Sequence, residues 1–446
     1  MQAAWNMEDI KLEIEVEGSE PYVVTTDSDL DDQRFISGAS SNASENNSSN
    51  PFGICGNRSY NFEIVDLDDY LSPTNEKSPY YNKIRTGSKV RVFILDTETD
   101  EWVPDGTYYI TYIGGGFSDG FHDVVTLTCQ DKMDNIGSKA NPKIPCLRNI
   151  TVKDFVTILL GDDTGWEIDD DIGSKVLTYG ITVGDKVRDT LNALVQYLQA
   201  RITINRDNVL TIKNAVKVYG NEYTLTPDLV QSISNSYNSA ADYSKIIVNY
   251  HIDGRKVIDV LLNDNGYTFK KGTNEPINGI KFRDKALSIH SISIKYNRHL
   301  FDSVLRLDSY EGYQDGIENL VASVAGDNID SCTIYVEGAS IDKSTRTEEK
   351  VLYQSEINGT VINIDIKYVI KQSEVNQLIK NLTGLLEKMT RQIVLKTNAT
   401  PHINIGDRII LEDDDFTDTY KGTYRVIKYN TTHGEGYNNV LTLIKE

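Results

Sequence analysis

Two stretches near opposite ends of the chain are alike: Gly106-Thr-Tyr-Tyr-Ile-Thr-Tyr-Ile113 and Gly422-Thr-Tyr-Arg-Val-Ile-Lys-Tyr429. The similarity continues without a gap at an offset of 316 residues, which is 422 minus 106. Further matches in this alignment are Gly120 with Gly436, Phe121 with Tyr437, Val124 with Val440, Thr126 with Thr442 and Leu127 with Leu443. Self-similarity of this kind is typical of a fold built from repeated units.

The match extends upstream of both stretches. Gly87-Ser-Lys-Val-Arg-Val92 resembles Gly406-Asp-Arg-Ile-Ile-Leu411 after a slip of three residues, since 406 minus 87 is 319. An acidic, irregular segment separates the two matching strands in each copy, at 96–105 and at 412–418. Generic strand fragments would be the alternative explanation. Because order, spacing and length all agree, we interpret the pattern as two copies of one β-barrel module, one at each end of the chain.

Alternation of apolar and polar residues is the dominant pattern. In Ile10-Lys-Leu-Glu-Ile-Glu-Val16 it predicts a strand whose polar face carries Lys11, Glu13 and Glu15. Further predicted strands are 60–67, 89–95, 107–113, 124–129, 245–250, 257–262, 290–296, 333–336, 362–370, 408–411, 423–429 and 440–444. The Ser/Asn/Gly-rich residues 37–53 predict a long, mobile loop, and Gly114-Gly-Gly116 predicts a turn between strands.

Helical patterns interrupt the strands. Thr151-Val-Lys-Asp154 fits a capping box before a helix that continues to Leu160. Thr182-Val-Gly-Asp185 is expected to cap a second helix, and Ser373 a third one over 374–389. The predicted apolar stripes of these two helices are Val187, Leu191, Leu194, Val195 and Leu198, and Val375, Leu378, Ile379, Leu382, Leu386 and Met389. A hairpin is predicted at 202–212, turning at Arg206-Asp207-Asn208.

These patterns predict a mainly β chain with an α+β insertion: two similar tube-type β-barrel domains plus a small α/β module. We assign 1–146 to the first tube-like β-barrel domain and 147–225 to the small α/β module. A β-rich domain that contributes to the second barrel covers 226–372. A helix plus strands at 373–446 complete the second tube-like β-barrel.

The charge of the chain excludes some partners. Its 446 residues carry 45 Lys and Arg against 66 Asp and Glu, a formal net charge of −21. Such a charge argues against nucleic acid or an anionic membrane as a ligand. The acids are concentrated in residues 1–80, with 16 Asp and Glu against 4 Lys and Arg, whereas 245–300 carry 10 bases and 5 acids. The sequence has neither a signal-peptide pattern nor an apolar run long enough for a membrane span, so we expect no membrane insertion.

No pattern of residues points to catalysis or to a bound metal. The six histidines, at 122, 251, 290, 299, 402 and 433, have no metal-ligand spacing, and Cys55, Cys129, Cys146 and Cys332 form no Cys-x-x-Cys pair. The acidic runs 27–32 and 96–101 lack the glycine and glutamate of an EF-hand, and 413–415 is a plain acidic run. We therefore predict no catalytic, cofactor-binding or metal-binding residues, no cofactor, and reduced structural cysteines.

The layout resembles the baseplate hub family of tailed bacteriophages and related contractile injection systems. The resemblance rests on motifs in a fixed order rather than on one diagnostic motif, and it is weakest at 255–345. The motifs are Phe35-Ile-Ser-Gly38, Tyr60-Asn-Phe-Glu-Ile64, Gly87-Ser-Lys-Val-Arg-Val92, Gly106-Thr-Tyr108, Val183-Gly-Asp-Lys-Val-Arg-Asp-Thr-Leu191, 202–204, Leu210-Thr-Ile-Lys213, Ile405-Gly-Asp-Arg-Ile409 and Gly422-Thr-Tyr424.

The resemblance implies a structural subunit without enzymatic activity. In that family each subunit carries two similar tube domains, and three subunits form a pseudo-sixfold ring. The expected partners are two further copies of the chain, a tail tube or distal tail protein on one side, and a spike or tail-tip protein on the other. DNA would pass through the ring without being bound. The location would be the baseplate of the virion tail, after synthesis in the host cytoplasm.

Two other functions remain open from the sequence. A receptor-binding or glycan-binding tail protein would suit the tyrosine-rich strands, and a cell-wall hydrolase could use a pair among the many carboxylates. The hub family includes members with a fused lysozyme or peptidase, for which we expect no equivalent here. For a ring, we expect that part of the acidic surface lines the lumen and that 245–300 face a partner or a neighbouring subunit.

Overall fold

The fold is described from a computed structural model of the chain. The description covers residues 7–26, 34–44, 52–54, 58–72, 74–96, 100–118, 122–161, 165–215, 220–237, 243–252, 259–297, 303–340, 345–352, 360–389, 391–398, 403–433 and 438–446. The acidic run 27–32, Cys55, His299 and His402 lie outside these residues.

Strands make up most of the described chain, as predicted. They are β1 Met7–Ile14, β2 Tyr22–Thr25, β3 Arg34–Ser44, β4 Gly53–Ile54, β5 Ser59–Asp66, β6 Lys89–Asp96, β7 Glu101–Ser118, β8 His122–Gln130, β9 Leu147–Thr151, β10 Trp166–Ile168, β11 Val176–Gly180, β12 Ala200–Ile204, β13 Leu210–Asn214, β14 Glu222–Thr224, β15 Val230–Tyr237, β16 Tyr243–His251, β17 Asp259–Phe269, β18 Gly272–Thr273, β19 Ile280–Lys281, β20 Ala286–Lys295, β21 Val304–Gly312, β22 Gly316–Ala325, β23 Ile329–Ser340, β24 Thr345–Val351, β25 Thr360–Val369, β26 Arg391–Asn398, β27 Arg408–Leu411, β28 Gly422–His433 and β29 Asn438–Lys445. The helices are α1 Lys132–Ser138, α2 Val152–Leu160, α3 Asp170–Gly173, α4 Val187–Leu198 and α5 Gln372–Met389.

The predicted duplication is confirmed by the strand pairings. The first repeat has the order β6-β7-β8-β5-β3, and the second has β27-β28-β29-β26-β15. The strands of each repeat also occur in the same order along the chain. β10 to β13 and β16 to β25, with their helices, lie outside this common plan.

The two repeats share their register as well as their order. Lys89 pairs with Tyr109 in the first repeat, and the residues at the equivalent positions of the second repeat, Arg408 and Arg425, also pair with each other. Both repeats have a β-bulge at the same position of the second strand, between Ile110 and Tyr112 and between Val426 and Lys428. They share a second bulge too, between Ile36 and Gly38 in β3 and between Val230 and Ser232 in β15. Because a bulge re-aims a strand and is a specific feature, two coinciding bulges are strong evidence for a common plan.

Glycine pairs explain why the repeated motif survives in both copies. Gly87 and Gly406 have φ of 91° and 88°, and Gly106 and Gly422 have φ of 151° and 142°, values that favour glycine. Gly87 N–H donates to the Ile110 carbonyl at 2.7 Å, and Gly406 N–H donates to the Val426 carbonyl at 2.8 Å. Tyr108 and Tyr424, two residues after the second glycine of each copy, are fully buried.

The last strand of the repeat corrects the sequence alignment. Phe62 pairs with Leu127 in the first copy, and its counterpart Leu395 pairs with Leu441 in the second. Leu127 therefore corresponds to Leu441 rather than to Leu443, and the offset falls from 316 to 314 after the hairpin. A slip of two residues keeps the inward and outward alternation of a strand, which is why the gapless alignment still matched apolar with apolar residues.

The strand β3 contradicts the loop predicted at 37–53. Residues 34–42 pair with β5 along one edge, and residues 39–44 pair with β28 along the other. Small polar residues have little strand propensity alone, but pairing on both edges outweighs that preference. Residues 45–51 lie outside the described part of the chain, and Gly53–Ile54 form the short strand β4.

Each repeat wraps its own apolar core. In the first, β2 and β3 lie at the two ends of the strand run β2-β1-β6-β7-β8-β5-β3, yet Val24 and Ile36 belong to one core. The sheet must therefore curl into a barrel, and no described pairing closes the seam between β2 and β3. A separate core lies beneath β26 to β29 and includes Ala43 of β3. The strands of both repeats thus belong to one continuous, open sheet.

The helical predictions hold for position and burial but not for two caps. Thr151 caps α2 as predicted, since its hydroxyl accepts the Asp154 N–H at 3.1 Å. All predicted stripe residues of α4 and α5 are buried. However, Lys186 and not the 182–185 segment caps α4, and Ser373 lies inside α5. The Thr182 N–H instead donates to the Gln314 side chain at 2.9 Å.

Candidate functional site at the joint between the two repeats

The two repeats meet edge to edge where β3 pairs with β28. The register runs from Ser44 opposite Lys428 to Ala39 opposite His433, with Ser41 opposite Thr431. Ser41 and Thr431 are buried on the core side of the sheet, whereas Asn42 and Thr432 are exposed on the other side. The joint is therefore a continuous sheet contact between a strand of the first repeat and a strand of the second.

A buried charge cluster lies beside this joint. Arg58, just before β5, donates from Nε to the Tyr429 hydroxyl at 2.7 Å and from Nη2 to the Asp105 carbonyl at 3.2 Å. The Asp105 carboxylate accepts the Tyr60 hydroxyl at 2.9 Å and lies 3.8 Å from Arg58 Nη2. Arg206, from the β12–β13 hairpin, brings Nη2 within 3.5 Å of the same carboxylate. One carboxylate thus connects the first repeat to the α/β module, and Arg58 connects it to the second repeat.

Burial governs the ionisation of this cluster. Burial alone would lower the pKa of Arg58, but Tyr108, Tyr429 and Asp105 raise the pKa of Arg58 by more, so the guanidinium stays charged. Burial raises the pKa of Tyr108 and that of Tyr429, which keeps both phenols neutral. A permanently charged, hydrogen-bonded arginine suits a fixed joint, since it needs no proton transfer.

Sequence reasoning missed this cluster. It placed Asp105 in an irregular acidic segment and Arg206 in a turn, yet Asp105 lies in β7 and is 6% exposed. The one available signal is the repeat itself, because the position equivalent to Asp105 in the second copy is Lys421. A change of charge sign beside an otherwise matching glycine marks a residue that serves only one copy.

A cleft of about 630 Å³ lies beside the cluster, between the two repeats and the α/β module. Its lining includes Arg58 and Asp131 of the first repeat, Arg201 and Lys213 of the module, and Asp407 of the second repeat. Arg58, Asp131 and Asp407 already form hydrogen bonds with side-chain or backbone groups, and the lining offers no pair of residues arranged as a nucleophile and its base. The cleft is therefore part of the joint.

Arg201 packs over Gly406 at the rim of this cleft. A Cβ atom at Gly406 would lie 2.8 Å from the Arg201 guanidinium carbon, and Gly406 has a φ of +88°. Gly406→Ala is expected to reduce the free energy of unfolding by about 1–2 kcal/mol from backbone strain alone. The matched control is Gly384→Ala in α5, where a Cβ meets nothing within 4 Å and stability should rise by about 0.5–1 kcal/mol. Urea unfolding measures both, and equal effects would contradict the role assigned to Gly406.

Two buried aspartates flank the cleft. Asp131 Oδ2 accepts the Arg58 N–H at 2.8 Å, and Asp131 Oδ1 accepts the Met133 N–H at 2.9 Å. Asp407 accepts the Asn221 and Asn404 N–H groups at 3.0 and 2.7 Å. Burial raises the pKa of each carboxyl to about 6, because the charged form loses more hydration than these hydrogen bonds return.

Asp131 should make stability fall as the pH rises. Between pH 4 and 6 its carboxyl is protonated in the fold but ionised in the unfolded chain, so unfolding releases a proton and rising pH favours it. A shift from 3.8 to about 6 corresponds to at most about 3 kcal/mol. Asp131→Asn should remove this part of the pH dependence, apart from a constant offset for a lost acceptor. Unfolding between pH 4.5 and 7 checks it; Asp68→Asn, at an exposed site, is the control, and an unchanged slope in Asp131→Asn would contradict the assignment.

Each repeat also has one strand edge that no pairing among the described residues covers. β15 is hydrogen-bonded along one edge only, to β26, among the described pairings. In β7 the edge away from β8 is paired with β6 only as far as Tyr109, with a further bond at Ile110. Residues 112–118 of β7 therefore present an open edge, on which Tyr112 is 57% exposed. This segment contains Gly114-Gly-Gly116, which lies inside a strand and is not the predicted turn.

The remaining described histidines, cysteines and acidic residues do not form a metal site. It contains no group of three or more His, Cys, Asp or Glu residues that could hold a metal ion. Cys129, Cys146 and Cys332 are free thiols, and burial raises the pKa of Cys129 to about 12. His251 is buried, and His290 contacts Ser288 at 3.0 Å on the surface. No helix within these residues is long and apolar enough to cross a membrane.

Comparison with solved structures identifies proteins of the same fold. The tail protein from Neisseria meningitidis MC58 has a TM-score of 0.53 and 8% identity, over 98% of this chain and 97% of that one. The 43 kDa tail protein of prophage MuSo2 from Shewanella oneidensis has a TM-score of 0.52 and 12% identity, over 98% of each chain. The fold is thus shared over nearly the whole length. No protein family and no curated protein matches the sequence.

Proposed function

We propose that the chain is a structural hub subunit of a phage-type tail, without enzymatic activity. Three copies would form a pseudo-sixfold ring that joins the tail tube to the central spike or tail tip. The observation that carries the proposal is the duplication: one chain holds two repeats of the same strand order and register, joined edge to edge by β3 and β28. The shared fold with two tail proteins supports a place in the virion tail.

The geometry of that joint supports a ring. The contact is head-to-tail, because it joins two different positions of the repeat: β3 at the end of the spatial order β6-β7-β8-β5-β3 meets β28, the second strand in the order β27-β28-β29-β26-β15. Head-to-tail contacts that repeat with a constant rotation either close into rings or grow into filaments. Each chain supplies one such joint internally and keeps one open edge of each kind, so three chains would make six repeats and six joints. The ring also covers edges that would otherwise invite aggregation.

The joint suits a connector in which the two repeats keep a fixed angle. The Arg58–Asp105–Arg206 cluster links both repeats to the α/β module through largely buried ion pairs and the hydrogen bond to Tyr429, which would limit rotation between them. A closed pseudo-sixfold ring requires such a fixed angle between neighbouring repeats. The tail tube or distal tail protein and the spike or tail-tip protein would bind on opposite faces of the ring, and DNA would pass through it.

Light scattering after size exclusion tests the proposal. A hub subunit of 50.1 kDa should give a particle of about 150 kDa, three times the chain mass. The same preparation should neither retain glycans nor clear peptidoglycan. A one-chain particle that binds glycans would support a receptor-binding protein instead, and loss of clearing after one carboxylate-to-amide change would support a hydrolase.

A further inference from the structure

We infer that strand β15 of one copy pairs antiparallel with residues 113–117 of β7 in the next copy, in a register set by the internal joint. This inference rests on the proposed function and names the surface that would close the ring. The occupant of each open edge is a second copy of this chain.

The internal joint provides the template. β3 corresponds to β15 at an offset of 194. Ala39 pairs with Phe62 in the first repeat, and Ile233 pairs with Leu395, the counterpart of Phe62, in the second. β28 corresponds to β7 at the offset of 316, with the bulge at the same place in both. Carrying the β3–β28 register across with these offsets gives five pairs between neighbouring copies: Ile113 with Tyr237, Gly114 with Ser236, Gly115 with Asn235, Gly116 with Ser234 and Phe117 with Ile233.

The residue types at these positions favour the pairing. Glycines inside a strand mark places where another backbone approaches closely, and 114–116 are three in a row on an open edge. At both ends of the register an isoleucine faces an aromatic residue, a cross-strand pair that stabilises sheets. No charged residue occurs among the ten, so the contact brings no unpaired charge into the sheet.

Residues at equivalent positions are buried in the internal joint but exposed on the open edges. Ser41 and Thr431, which face each other in the internal joint, are 5% and 3% exposed. Their counterparts Asn235 and Gly115 are both exposed in the single chain. The same pair position is thus covered where a strand is present and uncovered where the chain supplies none.

A disulfide between copies tests the register in the full chain. A Cβ at Gly115 meets nothing within 4 Å, and Asn235 is exposed, so Gly115→Cys with Asn235→Cys should leave the fold intact. Directly opposite residues lie about 5 Å apart, within disulfide reach. Oxidation should therefore give covalently linked dimers and trimers that a reducing agent separates. A mixture of the two single variants should stop at linked dimers, because each copy then has one reactive edge.

A second pair of cysteines serves as the control. Gly115→Cys with Ser232→Cys is displaced by three residues, or about 10 Å along the strand, and should link at least tenfold less. The wild type and each single variant alone should not link through the native cysteines. If a three-chain particle links both pairs equally, or neither, the register is wrong although the ring stands. A particle of one chain overturns the register and the proposed function together.

Discussion

Asn235→Lys is expected to leave a folded single chain that no longer assembles. In the single chain Asn235 is exposed, so a lysine there costs the fold little. In the ring its position corresponds to Ser41, which is buried against Thr431 on the core side of the internal joint. A lysine would therefore place an unpaired charge inside each joint between copies. A buried charge without a partner costs about 3–5 kcal/mol, which lowers the affinity at least about a hundredfold per joint.

The neighbouring residue provides a matched control for this variant. Ser234 is exposed and corresponds to Ser40, which lies on the opposite, solvent-facing side of the sheet. Ser234→Lys should therefore assemble like the wild type. Sedimentation velocity over a range of concentrations measures both variants, and circular dichroism checks that both are folded. If Asn235→Lys still forms a three-chain particle, or if both lysines block assembly equally, the edge contact is not built as inferred.

Asp105→Ala should cause a large loss of stability within the single chain. The Asp105 carboxylate is the counter-charge of Arg58 and of Arg206, whose side chains are 11% and 16% exposed. Its removal takes one carboxylate from beside two largely buried guanidinium groups and removes the oxygen that accepts the Tyr60 hydroxyl at 2.9 Å. Removing one partner of a buried ion pair typically costs about 3–5 kcal/mol. We expect the free energy of unfolding from urea titrations to fall by that amount, measured under conditions where the wild type is a single chain or in the Asn235→Lys background.

Two further variants show whether charge is the cause. Asp414→Ala removes a fully exposed carboxylate that pairs with Lys421, and its urea midpoint should not change measurably. The double change Arg58→Met with Asp105→Leu should recover part of the stability that Asp105→Ala loses, because one of the two arginines that lose this carboxylate is then removed as well. A loss in Asp105→Ala no larger than in Asp414→Ala would show that the cluster does not hold the repeats together.

The repeat plan could be predicted from the sequence because its signal is local. Gly106-Thr-Tyr108 and Gly422-Thr-Tyr424 recur since each glycine adopts a backbone angle that other residues avoid, with a buried tyrosine two residues on. Strand alternation located β6, β27 and β28 to within a few residues, but it found only the middle of β7, at 107–113, and 114–116 were predicted as a turn. The apolar stripes of α4 and α5 were likewise readable, because helical periodicity reports burial directly.

What the sequence could not predict depends on contacts between distant residues. Residues 39–44 were predicted as a loop because serine and asparagine lack strand propensity. Pairing with β5 on one edge and with β28, nearly 400 positions away, on the other makes them a strand. The offset change from 316 to 314 was hidden because strand alternation repeats every two residues. Asp105 could not be distinguished from the other Asp and Glu residues, 66 in all, because no local sequence pattern indicates that Arg58 and Arg206 lie beside it. The expectation of an acidic lumen stays a prediction.

The most direct test of the central claim is the symmetry of the particle seen from above by electron microscopy. If one chain supplies two equivalent units of a closed ring, averaged end-on views should show a central opening and six similar lobes. Those lobes should alternate between two kinds, giving true threefold and approximate sixfold symmetry. A ring with a number of lobes other than six, six identical lobes, or a particle without a central opening would contradict the account.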